Sequence, residues 1–296
     1  MVDIVMAVYN GEKYLSEQIE SILAQSYKNW RLYICDDNSS DKSYEIAKSY
    51  CEKYSDKIFL KRNSVNSGSA GMNFLNMIRE ATGDIIMTCD QDDIWLEDKL
   101  ELQVKLFEKV DYPLLVHSDL KLIDENKRVI SQSMIKSQKI DVTRSSVNKM
   151  LVQNNITGCT MAINRELANL IKVPSFVEVH DWYIGLLASI FGKIVFMDRA
   201  TVLYRQHSNN VCGAVNMESV ENISQRFKDK NRGRYMLELG YNMAEEIARL
   251  YKLEIPALLE YGKMKSYSKI KKLYTVIKYG IWKNGFVRKL GQIYFM

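Results

Sequence analysis

Val2-Asp3-Ile4-Val5-Met6-Ala7-Val8 is the stretch on which the fold turns. It is an apolar run of strand length, as expected of a strand covered on both faces. Working outward, Leu15, Ile19, Ile22 and Leu23 fall on one face of a helix. Residues 30–35 read as a second strand. Residues 41–54 read as a helix with Asp41 as its N-cap. Residues 57–60 make a short third strand, 69–81 a third helix closed by Gly83, and 84–89 a fourth strand. Strand and helix alternating in this order predict an α/β fold, with a mostly parallel, Rossmann-like sheet sandwiched by helices. Ligands of such sheets gather beyond the carboxyl ends of the strands. That rule singles out Tyr9-Asn10-Gly11, Asp36-Asp37-Asn38-Ser39-Ser40-Asp41 and Asp90-Gln91-Asp92-Asp93.

The later sequence is less regular. Residues 96–110 read as helix, 114–119 as strand, and 129–133 and 160–163 as weaker strands. Residues 181–191 read as a helix ending at Gly192, followed by two strands, 193–197 and 201–206. Beyond about residue 215 the pattern is helical, interrupted by Gly240, Gly280, Gly285 and Gly291. With only three prolines and no Gly/Ser-rich linker, one compact unit is expected rather than separate beads.

Composition narrows the class. Of 296 residues, 47% are hydrophobic and 26% charged, the profile of a soluble protein with a sizeable core. The five cysteines follow no metal-binding spacing and read as reduced small hydrophobes, which points to the cytoplasm. No signal peptide is expected, because the chain opens on a core strand. The uncharged apolar stretch 182–192 is well short of the ~20 residues that span a bilayer. The net charge of +5 is concentrated late. Residues 261–296 hold nine of the 41 Lys/Arg and none of the 36 Asp/Glu, leaving a mildly acidic body. That distribution does not suit a nucleic-acid binder, and no nucleic-acid partner is expected.

The two acidic clusters end two strands of one sheet, so they should converge. Gathered carboxylates are costly unless a cation lies between them. Oxygen ligands suit Mg²⁺ or Mn²⁺, which also bind phosphate oxygens. Either cluster alone is also good turn chemistry, and Asp181 alone would pass for an N-cap.

Ile4-Val5-Met6-Ala7-Val8-Tyr9-Asn10, Ser21-Ile22-Leu23-Ala24-Gln25-Ser26-Tyr27, Cys35-Asp36-Asp37-Asn38-Ser39-Ser40-Asp41 and Cys89-Asp90-Gln91-Asp92-Asp93-Ile94-Trp95 with Lys99-Leu100 together resemble family 2 glycosyltransferases. His180-Asp181-Trp182 and Tyr204-Arg205-Gln206-His207 extend the likeness, which covers residues 2–213. The run 89–95 is most similar to bacterial rhamnosyltransferase-like members. The resemblance implies a GT-A fold over residues 1–215, with a nucleotide-binding half (1–95) and an acceptor half (96–215). Residues 216–296 are then a helical, basic extension.

It also implies roles. Tyr9 lies beside the nucleobase, Asp37 accepts from the imide N–H of uracil or thymine, and Asp90 contacts the ribose. Asp92 ligates Mg²⁺ or Mn²⁺, and Asp93 supports the donor sugar or the metal's waters. Asp181 is the catalytic base. Arg205 and His207 face the diphosphate or the metal, although a surface ion pair for Arg205 and a structural role for His207 stay open. Ala7 departs from relatives that often carry a hydroxyl or proline there. Thr157-Gly158-Cys159 would shape a sugar pocket or form a simple turn, Asn209-Asn210 would belong to a lid, and His117 reads as a core histidine or a support to the site.

The implied reaction is inverting transfer of a sugar from a dTDP- or UDP-sugar, leaning to dTDP-L-rhamnose, to a surface glycan or glycolipid acceptor. The alternatives are a UDP-hexose transferase of the same fold and an inactive nucleotide-sugar-binding protein. A nucleotidyltransferase would want a Gly-rich basic loop where Tyr9-Asn10-Gly11-Glu12 stands. In the tail, Ile270, Leu273, Ile277 and Ile281 share a helical face among lysines. Residues 261–296 therefore suit either contact with the inner face of the cytoplasmic membrane or packing on protein.

Overall fold

The computed structural model describes residues 1–207 and 230–296. The chain forms two compact units, residues 1–135 with 156–214, and residues 136–155 with 215–296.

In the first unit the strands are β1 (Val2–Val8), β2 (Trp30–Asp36), β3 (Ile58–Arg62), β4 (Ile85–Cys89), β5 (Ile94–Trp95), β6 (Leu114–Ile123), β7 (Val129–Ser131), β8 (Ala162–Asn164) and β9 (Lys193–Arg205). They form one sheet ordered β3-β2-β1-β4-β8-β6-β9-β5, with β7 on β6. The first four strands pair in parallel. The β4–β8, β8–β6, β9–β5 and β6–β7 pairs are antiparallel, and β6–β9 is parallel. The sheet is thus mixed, with its parallel part in the first ninety residues.

Helices α1 (Leu15–Leu23), α2 (Ser43–Lys53), α3 (Ala70–Glu80), α4 (Lys99–Val104), α5 (Arg165–Leu170) and α6 (His180–Phe191) flank it. Val2, Ile4, Val5, Met6, Met87 and Cys89 are all buried, because helices cover both faces of β1 and β4. Asp3, inside β1, is buried too. It accepts from Arg31 Nε at 2.9 Å and from the Thr82 and Gly83 amides at 2.8 and 2.6 Å. A carboxylate with that many donors is satisfied without water.

Several boundaries depart from the sequence expectation. Residues 193–205 are one strand, not two: its register on β6 slips between Met197 and Ala200, so the polar pair Asp198-Arg199 rides a bulge. Asp41 does not cap α2, whose N-cap is Lys42. Its carboxylate instead accepts from Ser43 N at 2.9 Å, a local turn bond. Ser69 does cap α3, accepting from Met72 N at 3.1 Å. Gly83 closes no helix. A Cβ there would lie 2.8 Å from the Asp3 carboxyl carbon, and that crowding is what requires glycine.

The second unit holds α7 (Lys230–Tyr251), α8 (Pro256–Gly262), α9 (Lys269–Tyr279) and α10 (Phe286–Phe295). Tyr241 and Tyr261 meet edge-on at 4.9 Å, beside buried Leu258 and Met264. Gly240 lies inside α7 and Gly291 inside α10, so neither interrupts a helix. Gly280 does end α9, in the left-handed conformation. The excursion 136–155, expected in the acceptor half, is tied to this unit. Asn148 Nδ2 donates to Tyr279 O at 2.8 Å and Lys149 Nζ to Gly280 O at 2.7 Å, at the carbonyl end of α9. No helix of the described residues is long and apolar enough to cross a membrane. The expected lid pair Asn209-Asn210, Cys212 and the start of the helical tail lie outside the described residues.

Candidate active site

Three strand ends build the floor. Beyond β2, Asp36 and Asp37 point to different tasks. Asp36 is fully buried and holds the turn, accepting from Ser39 N at 3.2 Å and facing Arg62 Nε at 3.1 Å. Asp37 accepts from Asn63 Nδ2 at 2.7 Å and Ser67 N at 2.9 Å on one oxygen, and from Ser67 Oγ at 2.8 Å on the other. Burial pushes its carboxyl up, but these bonds outweigh it and hold the group below the ordinary carboxylate value. Its lone pairs still allow a further donor. Asn63 and Ser67 were not singled out from sequence; the only signal was the turn-rich run Asn63-Ser64-Val65-Asn66-Ser67-Gly68 after the third strand.

At the end of β1, Tyr9 is half exposed at the mouth of this crevice. Its backbone is clamped by Gln91: Tyr9 N donates to Gln91 Oε1 at 2.8 Å and Gln91 Nε2 donates to Tyr9 O at 3.0 Å. Gln91, the middle residue of Asp90-Gln91-Asp92, therefore joins the tips of β1 and β4. Gly11 makes room for it, since a Cβ there would come within 2.4 Å of Gln91 Oε1.

Beyond β4 the carboxylates crowd. Burial, with Asp92 and Asp181 adding, raises Asp90 to about 7. Burial, then Asp92 and Asp90, raise the fully buried Asp93 well above the ordinary value. One Asp93 oxygen accepts from Arg205 N at 3.2 Å, and the Cys159 thiol lies beside the carboxylate. Beneath lies Lys99, also fully buried, donating to Gln103 Oε1 at 2.7 Å and lowered by burial to about 8.

The antiparallel β5–β9 pairing sets Ile94 against Leu203. Chain continuing backward from Ile94 then meets chain continuing forward from Leu203. That is why His207 reaches Asp92 across 115 residues, Nε2 to Oδ2 at 2.8 Å. Tyr14 covers the imidazole at 5.2 Å between ring centroids. Arg205 is buried, unlike the diphosphate-facing residue anticipated. Its guanidinium pairs with Glu17, donates from Nε to Asp92 O at 3.0 Å, and sits over the Tyr14 ring at 4.5 Å. It braces the Asp92 backbone from behind.

Asp181 lies in the first turn of α6, where the helix dipole favours a negative charge. It is not the N-cap, which is Val179. Its two oxygens accept from Gly158 N at 2.8 Å and Trp182 N at 2.6 Å. Thr88 Oγ1 donates to Gly158 O at 2.6 Å, so the loop that steadies Asp181 is itself pinned to β4. Neighbouring His180 is buried, stacks on Phe74 at 4.0 Å, and is lowered to about 3 by burial. His117 is a buried core histidine against Phe196, lowered to about 4 by burial.

The donor set can be tested against a hard divalent cation. Among the described residues, Asp90, Asp93 and Cys159 offer ligand atoms within 4.8 Å of one another. The Cys159 thiol, however, is pushed well above its ordinary value by burial, stays protonated, and is a poor ligand for such an ion. The better fit is the oxygen and imidazole pair of Asp92 and His207 at 2.8 Å, while Asp90 groups with Asp93 and Cys159.

The family model for glycosyl transferase family 2 matches residues 3–170, more than half of the chain. The chain belongs to glycosyl transferase family 2. Its family 2 relatives include the Shigella flexneri dTDP-rhamnosyl transferase RfbG, 30% identical over 249 residues, 77% of this chain and 78% of that one. Another is WfgD of Escherichia coli, a UDP-Glc:alpha-D-GlcNAc-diphosphoundecaprenol beta-1,3-glucosyltransferase, 32% identical over 63% of this chain and 68% of its own. The putative glycosyltransferase EpsE of Bacillus subtilis is 43% identical over 125 residues, and that match spans 44% of its length. The fold is shared with Staphylococcus aureus TarS in complex with UDP, with TM-score 0.57 and 18% identity over 91% of this chain and 73% of that one. It is also shared with a Pyrobaculum calidifontis mannosyltransferase in complex with GDP-Man and Mn²⁺, with TM-score 0.57 and 17% identity over 99% and 83%. The architecture is thus GT-A-like and the protein is a glycosyltransferase.

Proposed function

We propose that this glycosyltransferase moves a sugar, with inversion, from a dTDP- or UDP-sugar to a hydroxyl of a surface-glycan acceptor carried on a lipid. The observation that carries the reading is Asp92 meeting His207 at 2.8 Å, with Asp90 in the field of both Asp92 and Asp181. Carboxylates so placed repel one another and suit a divalent cation that in turn binds an anionic diphosphate.

Asp37 accepts from the imide N–H of uracil or thymine, Tyr9 flanks the base, and Asp90 takes the ribose. Asp92 and His207 would hold Mg²⁺ or Mn²⁺, which when bound supplies positive charge for the departing diphosphate. Arg205 keeps the Asp92 backbone in place, and Asp93 supports the floor beneath the donor. Asp181 accepts the acceptor's proton as its oxygen forms the bond to the anomeric carbon on the face opposite the leaving group, and the configuration inverts. The Gly158 and Trp182 amides keep Asp181 aimed.

The donor leans to dTDP-L-rhamnose, supported by the longer match to RfbG. A UDP-hexose donor is the second reading, supported by WfgD, and so is the lipid-diphosphate acceptor class. Release of nucleoside diphosphate from dTDP-rhamnose and from UDP-glucose, with Mn²⁺ and a lipid-diphosphate acceptor, tests both. Asp181→Asn should abolish transfer while leaving donor binding within about threefold. A variant with wild-type turnover removes Asp181 from the mechanism.

A further inference from the structure

We propose that α9, with α10 beside it in the chain, docks the second unit onto an anionic phospholipid surface. This rests on the second unit alone and does not depend on the donor or the reaction.

A helix packed on a globular body ordinarily turns its apolar stripe inward. α9 does the reverse. It buries Thr275 and Val276 and leaves Ile270 84%, Tyr274 62% and Ile277 61% exposed. Positions i, i+4 and i+7 lie on one face, so the three side chains form a single outward ridge. Ile281, grouped with this face from the sequence, is instead fully buried beyond the helix end. α10 repeats the arrangement, burying Gly291 and Gln292 and exposing Phe286 and Leu290.

The charge around the ridge selects the occupant. Lys269, Lys271 and Lys278 are exposed along its flanks, and Lys289 is exposed on α10. Among the described residues none of the four forms an ion pair with a carboxylate, and no Asp or Glu occurs from 261 to 296. A second copy seated on this ridge through a twofold contact would set lysines against lysines. An anionic bilayer instead receives the isoleucines among its acyl chains and the ammonium groups among its phosphates, with the lysine stems reaching outward.

The test is flotation of the full chain with phosphatidylglycerol/phosphatidylcholine vesicles against phosphatidylcholine vesicles. Binding to the anionic vesicles is expected, at least tenfold weaker to the neutral ones and at least tenfold weaker in 0.5 M salt, because screening removes the lysine contribution. Ile270→Glu/Ile277→Glu should lose at least tenfold in vesicle binding, with the melting temperature and transfer to a short soluble acceptor unchanged. Since both positions are exposed, Ile270→Ser/Ile277→Ser provides a milder variant with the same expected direction. Absence of binding to anionic vesicles overturns the proposal, as does undiminished binding of both double variants. Lipid-free self-association abolished by the same substitutions, with no vesicle binding, would reassign the ridge to contact between copies.

Discussion

Replacing Gly158 by alanine tests whether the second half of the site is as tightly assembled as its distances say. The new methyl would lie 2.9 Å from His180 Nε2 and 3.0 Å from its Cε1, against an ordinary contact of 3.4 Å or more. The imidazole must therefore retreat by about half an ångström, as misfit packing demands. It has no room, being stacked at 4.0 Å on buried Phe74. The loop cannot yield freely either, since Thr88 holds the Gly158 carbonyl at 2.6 Å and Asp181 holds its amide at 2.8 Å. Overpacking of this kind costs about 1–3 kcal/mol. In a chain this size that is a fall in melting temperature of about 2–5 °C. Asp181 shares the strain, and displacements approaching 1 Å at a reacting group cost up to about 100-fold, so kcat should fall about tenfold. Donor binding runs through Asp37, Tyr9 and Asp90 and should change less than twofold. Steady-state nucleotide release gives kcat, and a donor titration followed by thermal shift gives the binding. A Gly158→Ala enzyme with wild-type kcat and melting temperature would refute this account of how Asp181 is held.

Four further outcomes are expected. Because Asp90 is raised to about 7 partly by the charge of Asp92, a cation held by Asp92 should release the Asp90 proton, so cation affinity should fall with acidification, by about tenfold per pH unit below 6.5 for one proton. Calorimetry in two buffers of different ionisation enthalpy reads that proton, and a flat profile from pH 5.5 to 7.5 rejects it. The same raised value means that the cation-free protein holds this contribution below about pH 4 and loses it as pH rises towards 7, so added Mn²⁺ should stabilise most near and above neutrality. Ser67→Ala removes the hydroxyl donor to Asp37 Oδ2, keeps the backbone donor to Oδ1, and should weaken nucleotide binding several-fold with little change in kcat, read by titration with UDP and dTDP. Arg205→Met takes the donor from the Asp92 carbonyl and one of two cations from Glu17, which Lys127 still pairs. Glu17 is partly exposed, so the loss should sit near the low end for a broken ion pair, about 2–3 kcal/mol by denaturant titration.

The first ninety residues were legible because local pattern and tertiary burial agree there. Val2–Val8 is apolar because helices cover both faces of β1, and the strand ends led directly to Asp37, Asp90 and Asp92. Legibility falls where long-range contacts decide. Nothing local in Asp198-Arg199 says that β9 continues through it; the bulge exists because β6 supplies a partner on both sides. The Asp41 carboxylate looked like a helix cap, yet it serves its own turn one residue earlier. Arg205 looked available to a phosphate because sequence cannot show Glu17 waiting for it from 188 residues away. Asn63 and Ser67 matter only through Asp37, so neither pattern nor spacing marks them. In the tail the apolar positions have helical spacing, but which face turns inward is set by packing within the second unit.

Gln91 carries a consequence for redesign. The residue between the two aspartates does more than separate them: its amide staples two strand tips by a two-way bond to Tyr9. The notch that admits it is Gly11. Any side chain at position 11 evicts the amide and unfastens the base-facing edge from the cation-facing edge. A shorter residue at 91 leaves the notch open. The two positions are therefore one module, to be exchanged together or left alone when the donor pocket is rebuilt.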